Sequence, residues 1–342
     1  MIIMPFDILE DGPKILDAPV SEFEKWMSRG FNIRIQKFGH EIFFYSPTSY
    51  PHNITDHQIT NPDNFVSLSV TGAGCSLMCK HCEGRLLKGM ESTATPDSLY
   101  QRCEEISAKG GEGVLISGGS DSRGHVPLDR YIDVIARVKR DLNLKVVVHT
   151  GLIDKFVAEG LGLAGIDAAM LDIIGDEKVS ESIYNIPNGP KKMNQSMALL
   201  SEMNIPIVPH LLVGLNYGQL SGEIEALEMI SNYHPHAVVI IALNPIRKTA
   251  MESTSPPSPE DIARIMTIAR IGIPDRPLLL GCARPLGTHK IDTDLIAIRS
   301  GVNGIAYVSQ EGVDYAKHKG LDIFFRDVCC SLAYQMIEPL AS

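Results

Sequence analysis

The chain has 342 residues, 44% of them hydrophobic, and its 31 Lys and Arg against 41 Asp and Glu leave a formal net charge of −10. That size suits one large α/β barrel with extensions. The acidic balance, with no basic run longer than Lys191-Lys192, excludes a surface built for nucleic acid or anionic lipid, which needs clustered cations to displace counterions. No segment reaches the ~18 uninterrupted apolar residues of a membrane span. The amino terminus "MIIMPFDILEDG" lacks the basic and apolar regions of a leader, so a cytoplasmic protein is expected. In such a compartment seven cysteines, an odd number, point to metal binding or catalysis before disulfides.

Residues 1–62 open with "EFEKWMSRGFNIRIQKFGHEIFFYS", which predicts a helix followed by a hairpin, and continue with the polar, turn-rich "PTSYPHNITDHQITNPDN". This reads as an N-terminal α+β extension. From Phe65 onward, short apolar β-branched runs alternate with helical spacing. Strands are expected at Phe65 to Val70, Gly113 to Ser117, Lys145 to Thr150, Ala168 to Ile174, Ile205 to Gly214, Ala237 to Asn244, Pro277 to Ala283 and Gly304 to Ser309. Helices are expected between them, among them Pro96 to Lys109, Leu128 to Arg140, Lys192 to Met203, Ser221 to Asn232 and Pro259 to Arg270. Near-continuous apolar strands joined by helices imply a parallel sheet, and eight such units over 63–310 fit a closed (β/α)8 TIM-type barrel. An open doubly wound sheet is the competing architecture. Residues 311–342, with "FFRDVCCSLAYQ", read as a helical C-terminal tail.

Three of the cysteines crowd "CSLMCKHC", as Cys75, Cys79 and Cys82, on the loop after the first barrel strand. Active-site residues of parallel barrels sit on such loops. A structural zinc site needs four closing ligands, and a distant His or Cys would have to complete this one. Three thiolates on one loop instead leave a fourth metal position open.

The C-x3-C-x2-C spacing in this place resembles the signature of the radical SAM superfamily, although His81 stands where that family usually has an aromatic residue. The resemblance implies a [4Fe-4S] cluster on Cys75, Cys79 and Cys82 whose open iron chelates S-adenosylmethionine. It also implies a glycine-rich turn after strand two whose backbone meets the methionine amino group. Gly118-Gly119-Ser120-Asp121 matches in its two glycines, with the acidic residue displaced to Asp121, and a plain tight turn is the alternative. Asp172 on strand four falls where the family holds polar groups for the ribose or substrate. His210 and Gly214 on strand five fall where it flanks the adenine. Each is equally readable as a satisfied polar group of a barrel interior.

The segment "ALNPIRKTAMESTSPPSPEDIARIMTIARIGIPDRPLLLGCARPLG" and "IRSGVNGI" are similar to the biotin synthase-related branch, so the resemblance covers about residues 62–310. That branch places an arginine at the position of Arg284, where it helps hold an auxiliary iron–sulfur cluster deep in the barrel. Residues two apart on an extended strand share a face, so Cys282 and Arg284 are both expected to point into the barrel. Cys282, Cys329 and Cys330 are the candidate ligands of a second, auxiliary cluster, the alternative being buried apolar cysteines. Cys103 on the first long helix reads as core.

The implied activity is hydrogen abstraction from an unactivated carbon followed by sulfur insertion. "VSLSVTGAGCSLMCKHCEGRLLKGM" and "LISGGSDSRGHVPL" resemble the two-protein form of lipoyl synthase, which acts on a protein-bound octanoyl group. The cysteine motif that precedes the barrel in the one-chain form is missing from residues 1–74. Implied partners are a small-molecule or carrier-protein-bound acyl substrate, a ferredoxin- or flavodoxin-type reductant and a second radical SAM chain. An acidic carrier would need a local basic patch such as Lys191-Lys192 or Arg247-Lys248. The competing readings are a single-cluster mutase, C–C lyase or cofactor-maturation enzyme, and a non-catalytic iron–sulfur scaffold.

Overall fold

The computed structural model describes residues 6–340; positions 1–5 and 341–342, the outer ends of the expected extension and tail, lie outside the described residues. Helix α1 (Ile8–Leu16) starts where the Asp7 side chain accepts the Glu10 N–H at 2.9 Å. Helix α2 (Val20–Phe38) buries Phe23, Met27, Gly30, Arg34 and Phe38, a single helical stripe. Strand β1 (Glu41–Tyr45) follows at once. Arg34, fully buried, bridges the joint by donating to the carbonyls of Gly39 and Glu41.

The expected hairpin is absent. Its first arm, "FNIRIQK", belongs to α2, and β1 is instead a parallel strand buried on both faces. A strand buried this way reads as an unbroken apolar run, as Ile42 to Tyr45 does, and needs neighbours on both edges. After Tyr45, Ser46-Pro47 and a polar stretch offer no returning strand.

The eight strands of the repeat follow in chain order. They are β2 (Phe65–Ser69), with a two-residue edge partner β3 (Glu91–Ser92), β4 (Gly113–Ser117), β5 (Lys145–His149) and the pair β6 (Ala168–Met170) and β7 (Asp172–Ile173), which form one interrupted strand. Then come β8 (His210–Val213), β9 (Val238–Ala242), β10 (Leu278–Leu280) and β11 (Gly304–Ala306), with β12 (Asp322–Arg326) beyond. All pairings are parallel, in two arcs ordered β3-β2-β4-β5-β6 and β7-β8-β9-β10-β11-β1-β12. A parallel bridge between Ala169 and Ile207 joins the arcs at one seam. At the other, Thr48 N–H donates to Phe65 O at 3.1 Å and Asn64 Nδ2 to Asp327 O at 3.0 Å. The wall therefore closes as a TIM-type barrel.

Helices α3 (Pro96–Ala108), α4 (Ile132–Asp141), α5 (Lys155–Ala164), α6 (Glu177–Tyr184), α7 (Gly189–Glu202), α8 (Glu223–Ser231), α9 (Pro259–Gly272), α10 (Thr288–Arg299) and α11 (Gln310–His318) accompany the strands. Strand alternation divides the core in two. Ile42, Phe44, Val66, Leu68, Val238 and Ile240 face the helices, whereas Phe43, Tyr45, Phe65, Val147, Met170 and Val239 face the lumen. Cys103 of α3 lies fully buried in the helix-side core.

The expected helical tail differs in form. After α11 the chain makes β12 and then a 3-10 turn at Cys330–Gln335, whose Cys330, Leu332 and Ala333 are buried in the lumen group. The Tyr334 hydroxyl bonds to the carbonyl of Asp167 and its ring packs on His236, both residues that precede strands. The turn thus stoppers the end of the barrel opposite the active-site loops. Phe44, which is fully buried against Phe325, joins the added strand to the helix-side core. Phe44→Ala is expected to lower the unfolding free energy by about 3–5 kcal/mol in a denaturant titration.

Candidate active site in the barrel mouth and lumen

The cysteine loop leaves β2 through Gly72 and turns back on itself, with Cys82 N–H donating to Cys79 O at 3.1 Å and Glu83 N–H to the same oxygen at 2.8 Å. Its neighbours fix it from outside. Ser76 N–H bonds Ser120 O at 2.8 Å, Lys80 N–H bonds Ile183 O at 2.8 Å, and Asn185 Nδ2 bonds Leu77 O at 2.8 Å. Cys79 is buried, and Cys75 and Cys82 are half-buried. A hydrogen shared with Cys79 is the main reason the Cys82 thiol is pushed down to about 4, and the same sharing drives Cys79 upward.

Among the described residues no three His, Cys, Asp or Glu side chains converge on a single-ion site. Thiolates that bind separate irons of a cluster have no need to. The Nδ1 of His81 is buried without a partner beside these thiols, and its ring stacks on Tyr184 at 4.8 Å. An orphaned polar atom next to three cysteines fits a polar group bound there.

The glycine turn packs directly under the loop. A Cβ on Gly119 would stand 2.0 Å from Gly74 O and 2.6 Å from Cys75 Cα, so only glycine lets the cysteines cross here. Ser120 holds the loop through its carbonyl, which also faces the Cys75 Sγ at 3.8 Å. Asp121 is engaged elsewhere: its carboxylate accepts the N–H groups of Arg123 and His125 at 2.9 and 3.0 Å, capping its own turn.

Alternation from the lumen residues Val147, Met170 and Val208 brings His149, Asp172 and His210 to the lumen face. The Asp172 carboxylate lies 3.6 Å from His149 Nε2 and accepts the Tyr184 hydroxyl at 3.0 Å; the two imidazoles stand 5.7 Å apart. Burial alone would raise the Asp172 carboxyl, but the hydrogen bond and charge of His149 outweigh it and hold it well below the carboxylate range. Burial opposes charge on His149 too, yet Asp172 raises it, while burial and its charged neighbour push His210 down to about 4. The set joins a carboxylate held ionised to one imidazole biased toward its charged form and one biased toward its neutral form. His149 was not singled out from the sequence; its signal was a histidine ending the apolar run "KVVVHT".

Gly214 has φ of 74°, and its N–H donates to the buried Glu223 at 2.9 Å, which also accepts the Ser221 N–H. Glu223, too, escaped the sequence reading, because a glutamate opening a helix looks like ordinary first-turn charge. Burial lifts its carboxyl to about 7 against these hydrogen bonds.

Cys330 is buried in the lumen group with Cys329 packed against it. Cys329 approaches the Ser331 hydroxyl at 2.8 Å, and a hydrogen shared with Cys330 brings its thiol down to about 7. Cys330 and Cys282 are both raised, Cys330 by that shared hydrogen and Cys282 by burial; Cys330 also feels the charge of Cys282, and Cys282 that of Cys329. Cys282 is open to water.

Arg284 does not join them. Strand β10 stops at Leu280, and the ladder then slips: Val238 N–H reaches Pro277 O at 2.9 Å, but Ala242 N–H reaches Ala283 O at 2.9 Å, two residues beyond regular register. The bulge sends Arg284 toward α10. There its Nε bonds Asp294 at 3.0 Å, and its other nitrogens bond Gly281 O at 2.6 Å and Tyr307 O at 3.2 Å. The expectation that Arg284 points into the lumen fails, and a guanidinium so fully engaged is a clamp of the barrel wall.

No family model matches the chain. Biotin synthases of Synechococcus sp. (strain CC9311) and Zymomonas mobilis subsp. mobilis (strain ATCC 31821 / ZM4 / CP4) are 20% and 22% identical to it, over 73% and 70% of this chain and 78% and 72% of their own. Methylornithine synthase (PylB) superposes with a TM-score of 0.63 at 15% identity, covering 92% of this chain and 97% of its own. HydG, a maturase of the [FeFe]-hydrogenase, superposes with a TM-score of 0.67 at 14% identity, covering 96% and 73%. The chain is similar in sequence and fold to radical SAM proteins of the biotin synthase-related branch. In a radical SAM enzyme a [4Fe-4S] cluster and S-adenosylmethionine together supply a reductively generated 5′-deoxyadenosyl radical, and Cys75, Cys79 and Cys82 are the residues here that would hold such a cluster. Around that chemistry this chain contributes an anchored cysteine loop, a glycine floor and a charged His149–Asp172 pair.

Two outcomes test the electrostatics. Arg284→Ala leaves the buried Asp294 with Lys290 as its one remaining charged partner beside the Ser309 N–H, so a loss of about 3–5 kcal/mol is expected in chemical denaturation, with iron per folded chain unchanged. For Glu223 the folded value near 7 lies above the ordinary 4.5, so its stabilising contribution is complete below pH 4.5 and is lost as pH rises through 7. Relative to wild type, Glu223→Gln is expected to flatten unfolding free energy against pH across that window by about 1–3 kcal/mol.

Proposed function

We infer that this radical SAM enzyme inserts sulfur at an unactivated carbon, using a second iron–sulfur cluster in the lumen as the source. Cys75, Cys79 and Cys82 would hold the first cluster. Gly118, Gly119 and Ser120 would approach the methionine end of S-adenosylmethionine, with Asp172, His210 and Gly214 toward its nucleoside. The observation behind sulfur insertion is that Cys329 and Cys330 sit with the lumen side chains and that a charge on Cys282, at the end of β10, would be felt at Cys330.

In this reading the 5′-deoxyadenosyl radical would take a hydrogen atom from the substrate carbon, leaving 5′-deoxyadenosine, and Cys282, Cys329 and Cys330 would hold the cluster that supplies the sulfide and whose iron takes up the electron released as the carbon–sulfur bond forms. A protein-bound octanoyl group, as for a two-protein lipoyl synthase, is the acceptor the sequence resemblance favours. Lys80, Lys88, Arg247 and Lys248, on mouth loops tied together by the Arg85 Nε–Lys248 O bond at 3.0 Å, make no ion pair among the described residues and suit an acidic carrier or reductant. A second reading, a single-cluster mutase, lyase or maturation enzyme, is favoured by the His149–Asp172 pair, because a desolvated ion pair in the lumen prefers a polar substrate.

Iron and sulfide counted after anaerobic reconstitution separate them. The variant Cys75→Ala/Cys79→Ala/Cys82→Ala is expected to keep about half the wild-type iron. Complete loss of iron from a folded triple variant would rule out sulfur insertion from a second cluster.

A further inference from the structure

His149 ends β5, and its side chain is 29% exposed although Val147, Val148 and Thr150 around it are buried. That exposure is to the space inside the barrel. Asp172 and His210 beside it are likewise only half-buried, and so are Leu115 and Leu212 of the lumen group. Two of the three polar side chains are fixed by the protein. Asp172 accepts the Tyr184 hydroxyl at 3.0 Å and lies 3.6 Å from His149 Nε2. His210 Nδ1 lies 3.2 Å from Val208 O, and since a carbonyl only accepts, that nitrogen carries the proton. Among the described residues the Nδ1 of His149 has no hydrogen-bond partner, and unlike the Nδ1 of His81 it is not sealed from the surrounding space. Burial opposes charge on this ring, but Asp172 biases it toward imidazolium, in which both nitrogens donate. The barrel therefore holds an open space with one spare donor aimed into it.

Resting on the acyl-substrate reading above, and not on a second cluster, we propose that His149 donates from Nδ1 to the carbonyl oxygen of an acyl amide, and that this contact selects the amide-linked acyl group over the free acid. A spare donor takes an acceptor oxygen, and the charge already present decides which kind. The His149–Asp172 pair is neutral as a whole, so a carboxylate beside it meets attraction and repulsion of similar size and loses its hydration without compensation. A neutral carbonyl has less hydration to lose and gains a charge-assisted bond. Leu115 and Leu212 suit the apolar chain that follows the carbonyl. In this arrangement His149 touches the substrate, whereas Asp172 is a positioning residue that holds the ring by its Nε2 and supplies the counter-charge.

The test uses the reconstituted enzyme with S-adenosylmethionine and no reductant, so that nothing turns over. N-butyloctanamide and octanoate are the probes, titrated calorimetrically into wild type, His149→Phe and His149→Gln. Expected are binding of the amide to wild type about tenfold or more tighter than the acid, a loss of about 10–100-fold for the amide in His149→Phe, and partial recovery in His149→Gln, whose side chain still donates. The infrared carbonyl band of an isotope-labelled amide is expected below its apolar-solvent position in wild type, and to return toward that position in His149→Phe. Equal amide affinity in wild type and His149→Phe, or an acid bound as tightly as the amide, would overturn the proposal. Binding of neither probe to wild type would instead overturn the acyl reading beneath it, and the iron count of the cysteine variants is independent of both results. If His149→Phe fails to fold, the wild-type band decides: a carbonyl band at its apolar-solvent position overturns the proposal, and one below it upholds it.

Discussion

A parallel strand has no hairpin partner to hold its edges, so β1 stays in place only while β11 and β12 both supply main-chain partners. Those two ladders set the rest of the architecture. They widen the barrel wall beyond its eight repeats, carry β12 to the seam beside β2, and leave the chain after Arg326 aimed at the lumen. The stopper at Cys330–Gln335 is the continuation of that path. Arg34, donating to Gly39 and Glu41, locks the turn that launches β1. An arginine buried this completely is tolerated because carbonyls at a helix end are themselves short of donors.

Between the two groups of cysteines runs a line of polar side chains in contact. His81 stacks on Tyr184, Tyr184 bonds Asp172, Asp172 pairs with His149, and His149 faces Cys329 across the lumen. Its members come from the cysteine loop, α6, β7 and β5, so no single element owns it. Charge on one member is felt by the next because the surroundings exclude water. The line binds both thiol groups into one electrostatic unit despite their distance along the chain.

Much of the frame was legible because parallel strands buried on both faces must be apolar throughout, and Val146 to Val148 or Val238 to Ala242 can hardly be read otherwise. The triad was legible because its chemistry is local. What failed was whatever depended on partners remote in sequence. "FNIRIQK" has a strand's alternation as well as a helix's stripe, and packing on α9 and α10 decides for the helix. The facing of Arg284 rested on an alternation that a bulge after Leu280 interrupts. His149 gains meaning from Asp172 and Glu223 from the Gly214 N–H, and neither partner is visible from the residue itself.

The stopper separates the two thiol groups in the order of their assembly. Every contact that anchors the cysteine loop to Ser120, Ile183 and Asn185 is available once the first half of the barrel exists. The lumen group around Cys330 draws on β1, the later strands and the tail, contacts whose loop-closure entropy is repaid only when the whole wall has formed. The cysteine loop can therefore settle on an incomplete barrel, whereas the lumen around Cys330 is the last part of the molecule to take shape, sealed from below by the segment that builds it.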